Sequence, residues 1–573
     1  MKVGKRFIFL LAVIPAFFSC VTNLDGKEEN NSNRENPELN NYFLHINLGS
    51  TAFSSRAALE EPGIDVENYI NNLLLLFYRS GSNGPYVNKS FFIDSPAFSD
   101  VIIEYPSRYL DLPSYVIAFA NFNPEEIENI INNVEGSVFT SFSIDDGIPM
   151  SSVRYFDSKG KPVFYTALNP KNFTEGLPVD LYIERAVAKL TLEKGSDLKI
   201  DPVILRSGKD ELTLIFEPDS WGVTATDAFS YYLKNISTFG YNELNSILGT
   251  DGEEWKWNHP LLHSSSETSN ENHDFPVLHW AVSPCYFMES FPDAEDSGQT
   301  SLDFVRFSEL CSLQSESDDI IPLYVNETSR PAEAFNLKNG LPYIVLGGHY
   351  IVEGNESAET FYREGAYIWF EQDYRDLMAA MQKALFIRQD DNLVTLPLDL
   401  FEVITSITRP SDEIIGSYIH FPGNSKLAPG FVCPQLIDDL SILEKLSESH
   451  QFYNAAGDLV DLLSASDRKK INIELINSCR LMEKYTDGKA VFVLPVTHLR
   501  PGIDKTGCYG IVRNHHYALT LNSISGIGRG IPDSNLKIDD MGTAPDIPPY
   551  QINISFRSNP WIDGGNYDVD LVE

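Results

Sequence analysis

Both ends of the chain carry alternating apolar and polar positions. Near the N-terminus, Tyr42, Leu44, Ile46 and Leu48 are separated by mostly polar residues. Near the C-terminus, Tyr550-Gln551-Ile552-Asn553-Ile554-Ser555-Phe556 and Tyr567-Asp568-Val569-Asp570-Leu571 alternate strictly. Side chains two apart share one face of an extended chain, so each segment predicts a half-buried β-strand. A proline-rich run at 543–549 reads as a semi-rigid lead-in to the C-terminal pair. Short apolar runs at 73–78, 115–121, 212–216, 343–346 and 490–494 predict further strands, and 179–192 is strand-like where a first domain would end. Gly347-Gly348 allows a bulge or turn before the apolar stretch 349–352.

Helical signals are fewer. Asn123-Pro124-Glu125-Glu126 has a capping residue, proline at the first helical position and Glu three after the cap, which predicts a helix to about Val134, closed by Gly136. Helical spacing appears at 374–386 and over most of 437–479, through Leu440, Leu443 and Leu446 and then Leu459, Leu462 and Leu463. Strand patterning resumes at 490–494, so these helices read as insertions on a β framework. No internal repeat at solenoid periods is present.

The first twenty residues form a separate unit. Lys2, Lys5 and Arg6 precede an apolar run, 7–18, that is too short to span ~30 Å of hydrocarbon and fits a signal peptide. The run ends in Phe18-Ser19-Cys20, which resembles a bacterial lipoprotein cleavage box with Cys20 as the lipidated residue. An ordinary secretory signal with an incidental cysteine is the alternative. Residues 21–40 are polar and Asn/Glu-rich and read as a flexible tether. Within them, Lys27-Glu28-Glu29 resembles the surface-export signals of lipoproteins in Bacteroidetes-like bacteria; a plain solvated tether is the alternative. The stretch Gly49 to Ala58 is small and flexible with one basic residue, Arg56, the type of loop that proteases cut. An ordinary surface arginine is the competing reading.

Composition narrows the function. A length of 573 residues suggests about four domains at ~150 residues each. With 43% hydrophobic and 12% aromatic residues there is ample core material. A formal charge of −38 repels phosphate backbones, so nucleic acid is not an expected partner. Excluding Cys20, the cysteines at 285, 311, 433, 479 and 508 have no C-x-x-C spacing, which argues against zinc and for buried thiols with room for one disulfide. No G-x-S-x-G, H-E-x-x-H, Walker A or EF-hand pattern occurs. His515 and His516 would point to opposite faces of a strand, and His259, His263 and His273 lack metal-ligand spacing. No catalytic residue, metal or cofactor is therefore assigned, and an enzyme is not expected.

Several segments together resemble the fimbrillin family, the pilins of Bacteroidales type V pili, above all the major subunit of the minor (Mfa-type) fimbria. They are the signal ending at Cys20, 115–121, 183–190, 221–226, 360–365, Tyr509-Gly510-Ile511-Val512-Arg513-Asn514-His515-His516-Tyr517-Ala518-Leu519-Thr520-Leu521 and 524–528. The resemblance covers most of the chain and leaves 437–479 unmatched. It implies a mainly β fold with helical insertions, in two tandem β-sandwich-like (transthyretin-like) domains. The implied division is a signal peptide 1–20, a tether 21–40, a removable strand 41–56, a first domain 57–194, a second domain 195–542 and a donor-strand segment 543–573.

It also implies a life cycle. The chain is exported as a lipoprotein, anchored transiently to the outer membrane through Cys20, and cut between Arg56 and Ala57 by an arginine-specific protease. The cut removes the strand of Tyr42, Leu44, Ile46 and Leu48. A strand from another subunit refills the gap, either Tyr550, Ile552, Ile554 and Phe556 or Tyr567, Val569 and Leu571. Cutting at the rival Arg34 would free the lipid but open no groove. The implied partners are copies of itself, accessory fimbrial subunits and host or bacterial surface ligands, in a cell-surface fimbrium. Two other readings remain open: a non-polymerising anchor or tip subunit, and a surface glycan-binding lipoprotein.

Overall fold

A computed structural model describes residues 22–23, 39–49, 67, 69–82, 84–94, 100–156, 162–236, 256–258, 276–278, 280–292, 301–313, 320–337, 339–355, 357–418, 427, 429–498, 509–539 and 551–560. The chain divides into two compact units. The first comprises Met1–Ala186, Tyr231–Leu244 and Lys256–Leu278; the second comprises Val187–Ser230, Asn245–Trp255 and His279–Glu573. The strand-like stretch 179–192 is thus divided, with Ala186 ending the first unit and Val187 beginning the second.

The first unit is built on β1 (Thr22–Asn23), β2 (Asn40–Gly49), β3 (Asn72–Gly81), β4 (Gly84–Asp94), β5 (Asp100–Ser107), β6 (Tyr115–Ala120), β7 (Met150–Ser152), β8 (Thr166–Ala167) and β9 (Val179–Arg185). Among the described residues the strand order is β1-β4-β3-β6-β7-β9-β2-β5, with β8 added on β6. Within the expected tether, Thr22 and Asn23 therefore pair with Phe92 and Phe91 of β4. The apolar run 73–78 is β3, flanked by β4 and β6 and buried along that length on both faces, as a central strand requires. Side chains from both halves of the sheet path enter one core. Leu73, Leu75, Phe77, Val116 and Ala118 come from one half, and Leu44, Ile46, Ile103, Tyr105, Leu181 and Ile183 from the other. This is the sandwich-like packing expected of strands with one buried face. The predicted cap at 123 is present: Asn123 Oδ1 accepts from the Glu125 amide at 3.1 Å, ahead of a 3₁₀ turn and the short helix α1 (Ile127–Asn132).

Among the described residues, two of the second unit's sheets enclose its main core. The smaller follows the order β13 (Leu323–Asn326), β10 (Val187–Ile200), β21 (His515–Ser525), β23 (Gln551–Pro560). The larger runs β17 (Thr405–Thr408), β18 (Phe431–Leu436), β19 (Met482–Tyr485), β15 (Phe361–Glu364), β16 (Tyr367–Phe370), β11 (Val203–Ser207), β12 (Asp210–Thr224), β14 (Tyr343–Val352), β20 (Lys489–Pro495), β22 (Arg529–Gly530). Leu190 and Leu192 of β10, Leu519 and Leu521 of β21 and Ile554 of β23 pack with Phe216, Trp221, Leu346, Tyr350 and Phe492 of the larger sheet.

Gly347-Gly348 makes no turn: β14 runs straight through it. The irregularity lies in the partner strand, where the β12 register shifts between Pro218 and Ser220 opposite these glycines. A Cβ at Gly348 would stand 2.2 Å from the Glu217 carbonyl oxygen and 2.6 Å from Phe216 Cζ. Gly348→Ala is therefore expected to destabilise the chain by about 1–3 kcal/mol, read as a lowered denaturation midpoint with unchanged slope.

A helical layer covers one end of the larger sheet. It contains α3 (Glu371–Met381), α4 (Leu398–Ile404), α5 (Asp412–Tyr418), α6 (Leu440–Ser449) and α7 (Ala465–Cys479). Tyr374, Met378, Phe401, Leu443, Leu475 and Cys479 share its core. The stretch expected to be helical over most of 437–479 is interrupted by a hairpin, Phe452–Tyr453 paired with Leu459–Val460. Asn454 is the reason: its Oδ1 accepts from the amides of Ala456 and Asp458, at 2.9 and 3.0 Å, and closes a turn that ends the helical register.

Candidate functional site

The N-terminal strand is an interior strand. β2 lies antiparallel to β5, with Tyr42 opposite Tyr105, Leu44 opposite Ile103 and Ile46 opposite Val101. On its other edge it runs parallel to β9, with Ile46 opposite Val179 and Leu48 opposite Leu181. The alternation read from the sequence is realised: Leu44 and Ile46 are fully buried, Tyr42 is half-buried, and Phe43, on the other face, is 54% exposed. The short helix α2 (Pro170–Thr174) packs against this strand, started by an Asn169 capping box.

The core around these side chains is aromatic. Tyr105 makes edge contacts with Phe77 and Phe173, at ring-centroid distances of 5.3 and 5.7 Å, and a tilted contact with Phe91 at 5.7 Å. Burial pushes the Tyr105 phenol up to about 12, against the Asn88 side-chain hydrogen bond to its oxygen at 2.8 Å. It is a neutral wall residue with its one polar atom satisfied.

The far end of β9 is pinned independently of β2. Ile183, Glu184 and Arg185 pair with β7, whereas the stretch paired with β2 is Val179 to Tyr182. Glu184 forms a buried ion pair with Lys234 at 2.7 Å. Arg154 donates to the Lys234 carbonyl at 2.8 Å and to Glu135 at 2.7 Å. Arg185 Nε donates to the Glu67 carbonyl at 3.1 Å. The position of β5 is different. It stands at the end of the strand order, and among the described residues β2 is the only strand it pairs with.

At the other end of the chain, β23 adds to β21, with Ile552 opposite Ile524, Ile554 opposite Leu521 and Phe556 opposite Leu519. Ile554 is buried and Ile552 partly so. Among the described residues β23 has no strand on its outer side, so it is an edge. Cys20, Arg56, Ala57, Tyr550, Tyr567, Val569 and Leu571 lie outside the described residues, as does the 263–273 loop.

The 509–521 stretch is a structural knot at the start of β21. Arg513 pairs with Glu327 at 3.0 Å, both side chains at 0% exposure, and reaches Ser230 Oγ at 3.3 Å. Asn514 holds a left-handed φ of 55° and donates its amide to the Val187 carbonyl. His515 is buried beside the Arg513 carbonyl, while His516 contacts Thr191 Oγ1 at 2.9 Å on the other side of the strand. The Tyr517 hydroxyl accepts from the Val512 amide and contacts His498 Nδ1, both at 2.8 Å. These polar groups hold one another. Among the described residues no cluster of His, Cys, Asp and Glu forms a metal site.

Sequence reasoning named the strand but missed its walls. Val101, Ile103 and Tyr105 were not singled out, although Val101-Ile102-Ile103-Glu104-Tyr105 carries a readable strand pattern; Val179 and Leu181 lie in the stretch read as a strand, but not as a neighbour of 42–48.

The molecule is thus a mainly β, two-unit protein whose buried polar groups brace strands. Residues 483–566 match the family described as "Major fimbrial subunit protein type IV, Fimbrillin, C-terminal". Among solved structures, a presumed cell adhesion protein from Parabacteroides distasonis is 11% identical, at a TM-score of 0.34, over 93% of this chain and 98% of that one. The fimbrilin (fimA) of Porphyromonas gingivalis is 10% identical, at a TM-score of 0.32, over 91% and 97%. The tip fimbrial protein Mfa3 of Porphyromonas gingivalis, truncated at its C-terminus, is 11% identical, at a TM-score of 0.28, over 91% and 100%. No curated protein matches the chain.

Proposed function

We propose that this chain is a structural fimbrial subunit that polymerises by strand exchange at the β2 position. The observation that carries this reading is the place of β2: interior, with Leu44 and Ile46 in the core, and, among the described residues, the one strand paired with the β5 edge. Losing such a strand leaves unpaired N–H and C=O groups on β5 and β9 above an apolar trough. An extended segment with alternating side chains satisfies both at once. Head-to-tail repetition of that contact does not close and yields a filament.

In this reading the chain is exported as a lipoprotein on Cys20 and cut between Arg56 and Ala57, which releases the strand of Tyr42, Leu44, Ile46 and Leu48. The donor comes from the C-terminal segment of another subunit. Two donors compete. Tyr550 to Phe556 includes residues of β23, which would have to leave β21 and withdraw Ile554 from its core. Tyr567 to Leu571 lies outside the described residues. Cell-surface ligands for adhesion follow from the fimbrial role.

N-terminal sequencing of protein from cell-surface filaments is expected to begin at Ala57, and Arg56→Ala is expected to leave the chain uncut and monomeric. Filaments whose subunits start at a lipidated Cys20 would overturn the reading. Asp substitutions at Val569 and Leu571, set against Asp at Ile552, identify the donor: the set that abolishes filaments while leaving the monomer soluble marks it.

A further inference from the structure

The β15–β16 hairpin carries an aromatic row out from under the helical layer. Its rungs pair Tyr362 with Trp369 and Glu364 with Tyr367, so these four side chains share the outer face of the larger sheet. The inner end of the row is covered: Tyr362 stacks on Tyr374 of α3 at 3.7 Å, and Trp369 packs against the helical layer's core. The outer end emerges into solvent. Tyr367 is 43% exposed, with the Trp369 ring 6.3 Å away and inclined by 31°.

An Arg–Glu pair flanks Tyr367 on each side. Toward β11, Arg206 shares a rung with Tyr367 and pairs with Glu211 of β12 at 3.4 Å. Hydrogen bonding to the Tyr367 hydroxyl, then the Glu211 carboxylate, holds the Arg206 pKa above its ordinary value. Toward β15, Glu364 pairs with Arg480 at 3.3 Å. The four charged side chains are 39–64% exposed, so each pair is weak and a partner is exchanged at little cost. Arg480 is the unexpected member. It ends α7 with φ 66° and ψ 159°, a backbone region that is essentially glycine's. Helices commonly end on a left-handed glycine because other residues are strained there. An arginine held in that conformation, with its guanidinium on the rung partner of an exposed tyrosine, points to a use for the side chain.

We propose that Tyr367 and Trp369, with Arg206, Glu211, Glu364 and Arg480 around them, form a binding platform for a neutral glycan. A pyranose ring presents a face of C–H groups and a rim of hydroxyls. The C–H face seats on the electron-rich face of an aromatic ring. At the rim, the guanidinium forks donate to hydroxyl oxygens and the carboxylates accept from hydroxyl hydrogens. An apolar seat with a few placed polar groups fixes the orientation of a small ligand. Charge selects the class: the two arginines and two glutamates cancel, while the −38 of the whole chain repels anionic ligands and a second copy alike. A neutral sugar meets no such repulsion. The platform is built from second-unit residues alone and does not rest on strand exchange at β2.

The test is an array of immobilised oligosaccharides, neutral (glucose-, galactose-, mannose- and N-acetylglucosamine-terminated) and sialylated, probed with the full-length monomer. Binding to at least one neutral group is expected, competed away by the same oligosaccharide in solution. Tyr367→Ala should weaken it by roughly tenfold or more, while Tyr367→Phe, which keeps the ring, should retain most of it. Arg480→Gly should also weaken binding and yet raise the thermal midpoint, because the backbone strain is relieved. Lost affinity in a more stable chain cannot come from unfolding. Four results would overturn the proposal: no neutral glycan bound, binding confined to sialylated groups, a Tyr367→Ala or Arg480→Gly chain that binds like the parent, or self-association in sedimentation that Tyr367→Ala abolishes. The last would assign the face to a second copy. Since the monomer is probed, any of these leaves strand exchange to its own test.

Discussion

Glu327→Leu is expected to lower the stability of the second unit by about 3–5 kcal/mol, because it strands a fully buried guanidinium. Arg513 meets Glu327 at 3.0 Å with neither side chain exposed, and the Arg513 amide donates to the same carboxylate at 3.3 Å. Removing the carboxylate takes away an ion pair and an acceptor for a backbone N–H together. Changing both partners to apolar residues, Glu327→Leu with Arg513→Met, is expected to recover most of the loss, since no uncompensated charge then remains. Urea denaturation with a constant slope checks both variants. A single variant as stable as the parent would show that the pair contributes nothing. A double variant no better than the single would show that the loss is one of packing rather than of charge.

This pair also shows where sequence reasoning stops. Arg513 was legible as part of a motif, but its partner lies 186 residues away and nothing local points to it. Alternation at Tyr42 to Leu48 and at Tyr550 to Phe556 was readable because a half-buried strand imposes a period of two on its own side chains. The neighbours of those strands were not readable: β2 runs parallel to residues 179–182, a pairing made by the fold and not by any turn. The unbroken run at 73–78 announced a strand, and the structure shows it buried on both faces. The Leu459-Leu462-Leu463 spacing misled, because Asn454 closes a tight turn and the following residues become a hairpin arm. The weave of the two units, with 231–244 and 256–278 grouped with the first 186 residues, depends on contacts at long sequence separation and was not legible.

Leu44→Ala is expected to lower the stability of the first unit by about 2–5 kcal/mol in the uncut chain and to have no effect once the chain is cut after Arg56. The first half of this follows from packing: Leu44 is fully buried, opposite Ile103. The second half follows only if the cut frees β2. In that case residue 44 leaves with the strand, and the cut subunit should melt lower than the uncut one by at least the contribution of its buried side chains. Its open groove should then accept a replacement. A peptide with the sequence of residues 40–49 is expected to raise the melting temperature of the cut subunit in proportion to ln[peptide] above its Kd, while the same peptide with Asp at positions 44 and 46 should do nothing. The Asp peptide keeps the backbone hydrogen bonds and loses only the apolar seat, so the difference between the two peptides isolates the trough as the source of affinity. If the cut subunit melts with the uncut one and responds to neither peptide, β2 has stayed in its groove, and strand exchange at this position is ruled out.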